Sequence, residues 1–237
     1  MNVTARLLTA LMLVSLSHPS FAMTADADAA TRHAMLVPKS GTYSRAISTD
    51  VGLAQTYFDQ GLRLAWGFYF PESIASYQEA SRLDPTHPMP YWGIAHAAGP
   101  NPNSRYAQMP DDPQGAGLAA IEAALDHIDR ATPMEAALIN ALYVFYDAKS
   151  IPDPRERDRA YLAEMRELNK KHPDDPDIAA LYAGSFMSIR RWDYWDKSGE
   201  AKGETLAVAE ALEHVITTGD PHPGVYHLHI HLIEASL

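Results

Sequence analysis

The feature that most constrains this chain is a helical repeat of apolar and small residues, interrupted by proline at the joins. From residue 49 onward these residues recur every three or four positions, as on the buried face of an amphipathic helix. Proline falls where a helix begins or where the preceding helix ends. The pattern predicts helices over residues 51–68, 71–83, 89–98, 113–128, 133–146, 156–169, 175–189, 205–216 and 224–236. We therefore expect an all-α fold.

One segment fits the spacing of a tetratricopeptide repeat (TPR), a helical hairpin of about 34 residues. The aromatic, small, large and proline positions of that repeat are occupied, in order, by Tyr57, Gly61, Leu64, Ser73, Tyr77, Ala80 and Pro85. Small residues let the two helices approach each other, and the proline ends the second helix. Looser hairpins follow near residues 113–147 and 156–189, and from residue 205 onward. About four stacked hairpins predict a TPR-like solenoid wound as a right-handed superhelix.

The first residues are typical of an export signal. Arg6 precedes an apolar run at residues 7–16, and Ser20 and Ala22 are small residues at the positions that a signal peptidase inspects. We predict a signal peptide at residues 1–22, a flexible leader at 23–48 and the repeat domain at 49–237. The apolar run is shorter than the roughly 20 residues of a membrane-spanning helix. We expect an exported protein, periplasmic or secreted, without a membrane span.

The composition restricts which partners the chain can bind and which residue types can be metal ligands. The chain has no cysteine, which excludes disulfides and thiolate metal sites. The formal net charge of -11 and the lack of a basic stripe argue against nucleic acid and anionic membranes. Because repeat solenoids bind partners on a concave face, we predict a scaffold or binding module for a protein or peptide partner. The oligomeric state does not follow from the sequence.

A block near the end of the sequence holds four histidines: His222, His227, His229 and His231. In a helix that begins near residue 223, His227, His231 and Glu234 share one face and His229 points away. His222 lies about one turn earlier, where it would be a fourth ligand or a hydrogen-bonding neighbour of the ligands. These residues predict a site for a divalent transition metal, namely zinc, copper or iron. A metal-dependent enzyme is therefore the alternative function.

Other interpretations of the block stay open. A β-strand would place His227, His229 and His231 on one face by its period of two, although the helical surroundings and the Pro-Gly start favour a helix. The histidines would otherwise pack between helices or face water. A pH-responsive interface is a further alternative, because neighbouring imidazoles repel each other once charged.

A few residues outside the block are candidate ligand contacts. Asn101 and Asn103, with Arg105, lie in a proline-rich loop, although Asn and Pro also favour turns. His96 is more typical of a packed histidine than of a ligand. The aromatic loop that begins at Trp192 would wall a pocket or cap the core. The sequence contains no phosphate loop, no Gly-x-Ser-x-Gly elbow and no His-Glu-x-x-His motif.

Several short blocks are more specific than a generic repeat. They are FDQGLRLAWGF at 58–68, YWGIA at 91–95 with GPNPN at 99–103, LYA at 181–183 with WDYW at 192–195, and HPG at 222–224 followed by His227, His231 and Glu234. With these blocks the chain resembles a family of exported bacterial TPR proteins over most of its length after the signal. Similar proteins place an acidic residue where this chain has Gly184, and they continue through further hairpins. The resemblance implies a helical repeat fold and a truncated fragment, but no activity. The apolar final helix at residues 224–237, which lacks a polar cap, itself predicts a truncated fragment or an end that docks on another subunit.

Overall fold

The computed structural model describes residues 34–103, 109 and 111–236. Within these residues the chain forms nine α-helices, one short 3-10 helix at Ile128–Arg130 and no β-strand. The helices are α1 (Gly52–Trp66), α2 (Phe70–Leu83), α3 (Pro88–Ala98), α4 (Pro113–Asp126), α5 (Pro133–Tyr146), α6 (Pro154–Lys171), α7 (Pro176–Arg190), α8 (Thr205–Thr218) and α9 (Pro223–Ile233). The all-α prediction is confirmed, and the observed helix ends lie close to the predicted ones. In the described part of the chain, no helix has the length and apolar character needed to cross a membrane.

Most helices begin with a capping residue followed by proline. The side chains of Asp112, Asp153 and Asp175 accept hydrogen bonds from backbone N–H groups in the first turns of α4, α6 and α7. Thr132 and Glu135 form a reciprocal capping box at the start of α5. Proline suits the next position because its fixed φ is helical and its missing N–H would have no partner there. These caps explain why most helices begin at a proline of the sequence.

Consecutive helices pack as hairpins, and glycine sets their closest approach. A Cβ atom on Gly61 of α1 would lie 2.7 Å from the Tyr77 ring of α2, and one on Gly93 of α3 would lie 2.5 Å from the same ring. Tyr77 is fully buried between these helices. The Ser73 hydroxyl donates to the Gly61 carbonyl oxygen at 2.7 Å. The repeat positions 61, 73 and 77 therefore form the interface of the first hairpin.

The last described helix returns to the first. Helix α9 packs against α7 and α8 and also contacts α1. At this contact a Cβ atom on Gly224 would lie 2.5 Å from the Trp66 indole. The Trp66 ring centroid lies 5.5 Å from the ring of His96 on α3 and 5.5 Å from the ring of His222 at the start of α9. All three residues are buried, so the protein's own side chains occupy the inner face between these helices.

Residues 34–48 form an arm without helix that packs on the helical array. The Arg45 guanidinium forms ion pairs with Asp175 at 2.9 Å and Asp177 at 2.7 Å. The Ser48 hydroxyl donates to the Glu135 carboxylate at 2.8 Å. This part of the predicted flexible leader is therefore a packed arm rather than a free segment. The predicted signal peptide at 1–22 and residues 23–33 of the leader lie outside the described residues.

Candidate functional site

The histidine block lies in α9, so the strand alternative is wrong and the helical one is confirmed. His227 and His231 are one turn apart, with their Nε2 atoms separated by 3.1 Å. Glu234 lies on the same face, with Oε1 at 3.2 Å from His231 Nδ1. His229 points away and meets Glu213 of α8 at 3.3 Å. The Nε2 atoms of His227 and His231 therefore face each other, while the Glu234 carboxylate lies on the opposite, Nδ1 side of the His231 ring.

His222 is separate from this face and has no ring nitrogen free. Its Nδ1 accepts the Val225 N–H at 3.0 Å, which makes it the N-cap of α9. An accepting ring nitrogen carries no proton, so Nε2 carries the proton and donates to Asp177 Oδ1 at 3.0 Å. These bonds do not fit the predicted role of His222 as a metal ligand. Across the described residues, no group of three or more His, Cys, Asp or Glu side chains is placed to hold a metal ion.

Asp177 is the centre of a buried polar cluster that fixes the start of α9. It accepts hydrogen bonds from His222, from the Tyr43 hydroxyl at 2.6 Å and from Arg45 at 2.7 Å. Burial alone would raise the pKa of the Asp177 carboxyl. The His222 hydrogen bond and the Arg45 charge outweigh burial and hold this pKa well below its usual range. The cluster joins the arm, α7 and α9, which is a structural role.

Hydrogen bonds at Nδ1 define which nitrogen is free in His227 and His231. His227 Nδ1 lies 2.6 Å from the Trp66 carbonyl oxygen, which can only accept, so Nδ1 carries the proton. His231 Nδ1 lies against Glu234, whose carboxyl pKa is lowered by hydrogen bonds from Trp192 and His231. The ionised carboxylate also only accepts. With both Nδ1 atoms donating, the two Nε2 atoms face each other at 3.1 Å, a distance that fits a shared cation: either the proton of an N–H···N hydrogen bond or a metal ion.

The Nε2 separation suits two ligands of one metal ion. With nitrogen–metal bonds of about 2.0–2.1 Å, atoms 3.1 Å apart subtend about 98° at the metal, between the octahedral and tetrahedral angles. Oxygen partners on the opposite ring nitrogens are usual in metal sites, because they fix the tautomer and increase ligand basicity. The His231 side chain is 24% exposed, so solvent reaches this ring.

Two aromatic residues in strained backbone conformations border the histidine pair. Phe68 has φ +62° and its ring centroid lies 4.2 Å from that of His227. Trp192 has φ +68° and its ring centroid lies 5.8 Å from that of His231. Positive φ costs a non-glycine residue about 1–2 kcal/mol, and such strain concentrates at functional sites. The local sequence does not predict the strain at Phe68. Glycine is the residue expected at a positive φ, but the glycine of this turn, Gly67, lies one residue before Phe68.

The predicted asparagine contacts lie elsewhere. Asn101 Nδ2 donates to the carbonyl oxygens of His96 at 2.9 Å and Ala97 at 3.3 Å, which caps the end of α3. Asn101 also lines a small interior cavity. Asn103 is partly buried in the turn that follows, and Arg105 lies outside the described residues. The loop therefore has the turn-forming role that Asn and Pro favour, with Asn101 in reach of the cavity.

A serine, a histidine and a glutamate in contact at the arm resemble a catalytic nucleophile with its general base. The tautomer of the histidine, however, does not suit a general base. Ser48 Oγ lies 3.0 Å from His87 Nε2 and donates to Glu135 at 2.8 Å. His87 Nδ1 accepts the Met89 N–H at 3.3 Å, so Nε2 holds the proton and donates to Ser48. A general base needs a lone pair at that nitrogen. These three residues therefore anchor the arm and cap α3.

The fold and this geometry define an all-helical protein of stacked hairpins with a pair of histidines at its surface. Comparison with protein-family models, curated proteins and solved structures finds no match for this chain. The function of the site is therefore inferred from its geometry.

Proposed function

We propose that the protein binds a divalent transition-metal ion through the Nε2 atoms of His227 and His231. The observation that carries this proposal is their 3.1 Å separation, with an oxygen acceptor at Nδ1 of each ring. Zinc, copper and iron all accept imidazole ligands, and copper(II) binds most tightly among divalent ions of the first row. Water or a small ligand completes the coordination.

The neighbours of the pair support binding of a cation. Glu234 keeps its negative charge, because hydrogen bonds lower its pKa, and it orients the His231 ring. Phe68 and Trp192 pack against the two rings and restrict their rotation. Removing the outer carboxylate from a histidine–metal site typically weakens metal binding by about 10–100-fold. We expect Glu234→Ala to weaken binding by about tenfold.

Metal titration tests this proposal. The purified chain, without a polyhistidine tag, is stripped with a chelator and titrated with Cu²⁺ and with Zn²⁺ by calorimetry. We expect one equivalent to bind, and His227→Ala and His231→Ala each to weaken binding by at least tenfold, or about 1.4 kcal/mol. His229→Ala is the matched control, because it lies on the same helix with a side chain 19% exposed against 24% for His231. Absence of saturable binding, or an equal loss with His229→Ala, would refute metal binding by the His227–His231 pair.

A protein or peptide partner is the second candidate, favoured by exposed apolar residues on α9. Tyr226 is 41% and Ile230 is 58% exposed, and their four-residue spacing puts them on one side of the helix. Apolar residues grouped on a surface mark contact sites. We expect the double variant Tyr226→Ser and Ile230→Ser to lose a protein that co-purifies from native cells, with metal binding unchanged. Co-purification that survives both substitutions would exclude this face.

Export is proposed from the N-terminal sequence. The positive charge of Arg6, the apolar run and the small residues up to Ala22 support a cleaved signal peptide. Mass spectrometry of the protein from native cells should then give an N-terminus at Met23. A chain that keeps residues 1–22 in the cytoplasm would contradict export.

A further inference from the structure

A pocket lies between the arm, the last turn of α1 and the start of α9. Its volume is about 290 Å³, close to the lower end of the range of about 300–1,000 Å³ that small-molecule sites span. Its lining consists of residues 40–43 of the arm, Arg63 of α1, and Pro221, His222, Pro223 and Tyr226. The pocket therefore has room for a molecule of several heavy atoms.

The Arg63 guanidinium lies against the arm in the wall of this pocket. Its Nη1 donates to the Tyr43 carbonyl oxygen at 2.6 Å. A Cβ atom on Gly41 would lie 3.3 Å from Arg63 Cδ, the carbon that carries the guanidinium. Because Gly41 and Tyr43 both line the pocket, these two contacts place the charged group at the pocket wall.

Arg63 is half-buried, and no ion pair with a described residue neutralises its charge. Its Nε is buried without a hydrogen-bond partner, and its Nη2 has no partner either but remains accessible. The charge acts on the Asp59 carboxyl of the preceding turn, whose pKa it lowers against the larger effect of burial. The Asp59 oxygens, however, accept hydrogen bonds from the arm and from Gln55 instead. Arg63 therefore keeps an accessible N–H donor and an unpaired charge for a ligand.

The rest of the lining adds hydrogen-bond donors and apolar surface. Ser40 and Thr42 contribute hydroxyl groups, which can donate to an oxygen. Both ring nitrogens of His222 are already bonded within the protein. Tyr226 and the two prolines present apolar surface. No Asp or Glu is among the described residues that line this pocket, so Arg63 is opposed by no negative charge of the lining.

A neighbouring pocket that shares Tyr43 has the opposite character. Its charged residues are four aspartates and two cations, namely Asp174, Asp175, Asp177, Asp220, Arg45 and Lys171. Such an acidic lining is expected in a chain with a formal net charge of -11. The pocket at Arg63 departs from this character, and its electrostatics favour an anion.

The charge balance restricts the ligand to a monoanion. One unpaired guanidinium compensates one negative charge, whereas a dianion such as phosphate would keep a second charge without a partner. Arginine binds carboxylates through charge-assisted hydrogen bonds, which are stronger than those between neutral groups. The exposed ring of Tyr226 suits an apolar body attached to the carboxylate.

We propose that this pocket binds a small monocarboxylate, with the carboxylate at Arg63 and the apolar body against Tyr226. Arg63 Nη2 donates to a carboxylate oxygen, and the hydroxyl groups of Ser40 and Thr42 are the other side-chain donors at that end. Neither His227 nor His231 lines the pocket, so this site needs no metal and does not depend on the proposed metal binding.

The backbone N–H signals of residues 40–42 in a metal-free, ¹⁵N-labelled chain provide the test. The probe is benzoate, and benzamide is the control because it has the same shape without the charge. We expect a saturable shift of these signals with benzoate and none with benzamide. No saturable shift with benzoate, or an equal shift with benzamide, overturns the proposal. Tighter binding of inorganic phosphate than of benzoate overturns the assignment of a monocarboxylate.

Variants at Arg63 show whether its charge holds the probe. Arg63→Met removes the charge, and we expect the saturable shift to be lost. Lys39→Met is the matched control, because Lys39 is an exposed cation of the same arm that does not line the pocket. Benzoate binding that survives Arg63→Met, or an equal loss with Lys39→Met, overturns the proposal.

A pair of variants at Thr42 keeps the test decisive if Arg63→Met fails to fold. Thr42 is exposed, so its substitution leaves the core intact. Thr42→Glu places a negative charge in the pocket, and Thr42→Gln places a neutral side chain of the same size there. We expect the dissociation constant for benzoate to be at least tenfold higher in Thr42→Glu than in Thr42→Gln. Equal dissociation constants in these two variants overturn the proposal.

Discussion

Lowering the pH from 7 to 4 should destabilise this fold through one buried histidine, His96. Its side chain is 3% exposed and its ring stacks on Trp92 with centroids 5.3 Å apart. Burial lowers its pKa from the usual 6.5 to about 4, against a smaller opposing effect of the Asp177 charge. In the unfolded chain the ring is in water and its pKa returns to about 6.5.

The sign and size of the effect follow from these two pKa values. Between pH 6.5 and pH 4 the unfolded chain binds more protons at His96 than the folded chain does. The free energy of unfolding therefore falls as the pH falls through this window. A difference of about 2.5 pKa units corresponds to about 3 kcal/mol, nearly all of it lost between about pH 7 and pH 4.

Urea unfolding of the wild type and of His96→Leu at pH 7, 5.5 and 4 measures this loss. We expect the wild type to lose about 3 kcal/mol more than the variant over this range. With a slope of about 3 kcal/mol per molar urea, the difference is a midpoint shift of about 1 M. His214→Leu is the control, because the His214 side chain is 43% exposed rather than buried. Equal losses in the wild type and His96→Leu would refute the assignment of His96 as a buried neutral ring.

Four further stability predictions follow from single residues. Asp177→Ala should lower the free energy of unfolding in urea by about 3–5 kcal/mol, because the arm and the start of α9 lose a buried acceptor; a loss under about 1 kcal/mol would contradict this. Arg191 ends α7 at φ +48°, a conformation that favours glycine, and its side chain is exposed. Arg191→Gly should therefore stabilise the protein by about 0.5–1 kcal/mol in calorimetry. A lower stability of this variant would argue against strain at Arg191. Gly184→Ala should stabilise the protein by about 1 kcal/mol, because Gly184 lies inside α7 and a Cβ atom there would meet only Leu228 at 3.9 Å. Gly224→Ala should destabilise it by about 1–3 kcal/mol, because its Cβ atom would lie 2.5 Å from Trp66. Equal urea midpoints for these two alanine variants would show that the glycines pack alike.

The helices and one face of the site were predictable because they depend on local sequence. Cap-Pro pairs mark the helix starts, and the helical period alone puts His227, His231 and Glu234 on one face and His229 on another. The contact between α9 and α1 was not predictable in this way. It brings the carbonyl oxygen of Trp66 to His227 Nδ1 across 161 positions of sequence, and this bond fixes the tautomer of the ring.

His222 shows why counting histidines overstated the site. Spacing describes where a side chain lies along a helix but not which hydrogen bonds it already makes. Both His87 and His222 precede a proline at the start of a helix, and both use Nδ1 to cap that helix. A histidine before such a proline was therefore a local signal of capping. The partner of its Nε2, Asp177, comes from a distant helix and could not be read from the block.

Coordination of one metal ion by both His227 and His231 is tested most directly by pulsed electron paramagnetic resonance of the copper(II) complex. The modulation from the outer ring nitrogens counts the coordinated imidazoles. We expect two imidazoles in the wild type and in His229→Ala, and one in His227→Ala or in His231→Ala. Fewer than two imidazoles in the wild type, or a count that neither substitution changes, would contradict a metal ion held between the two Nε2 atoms.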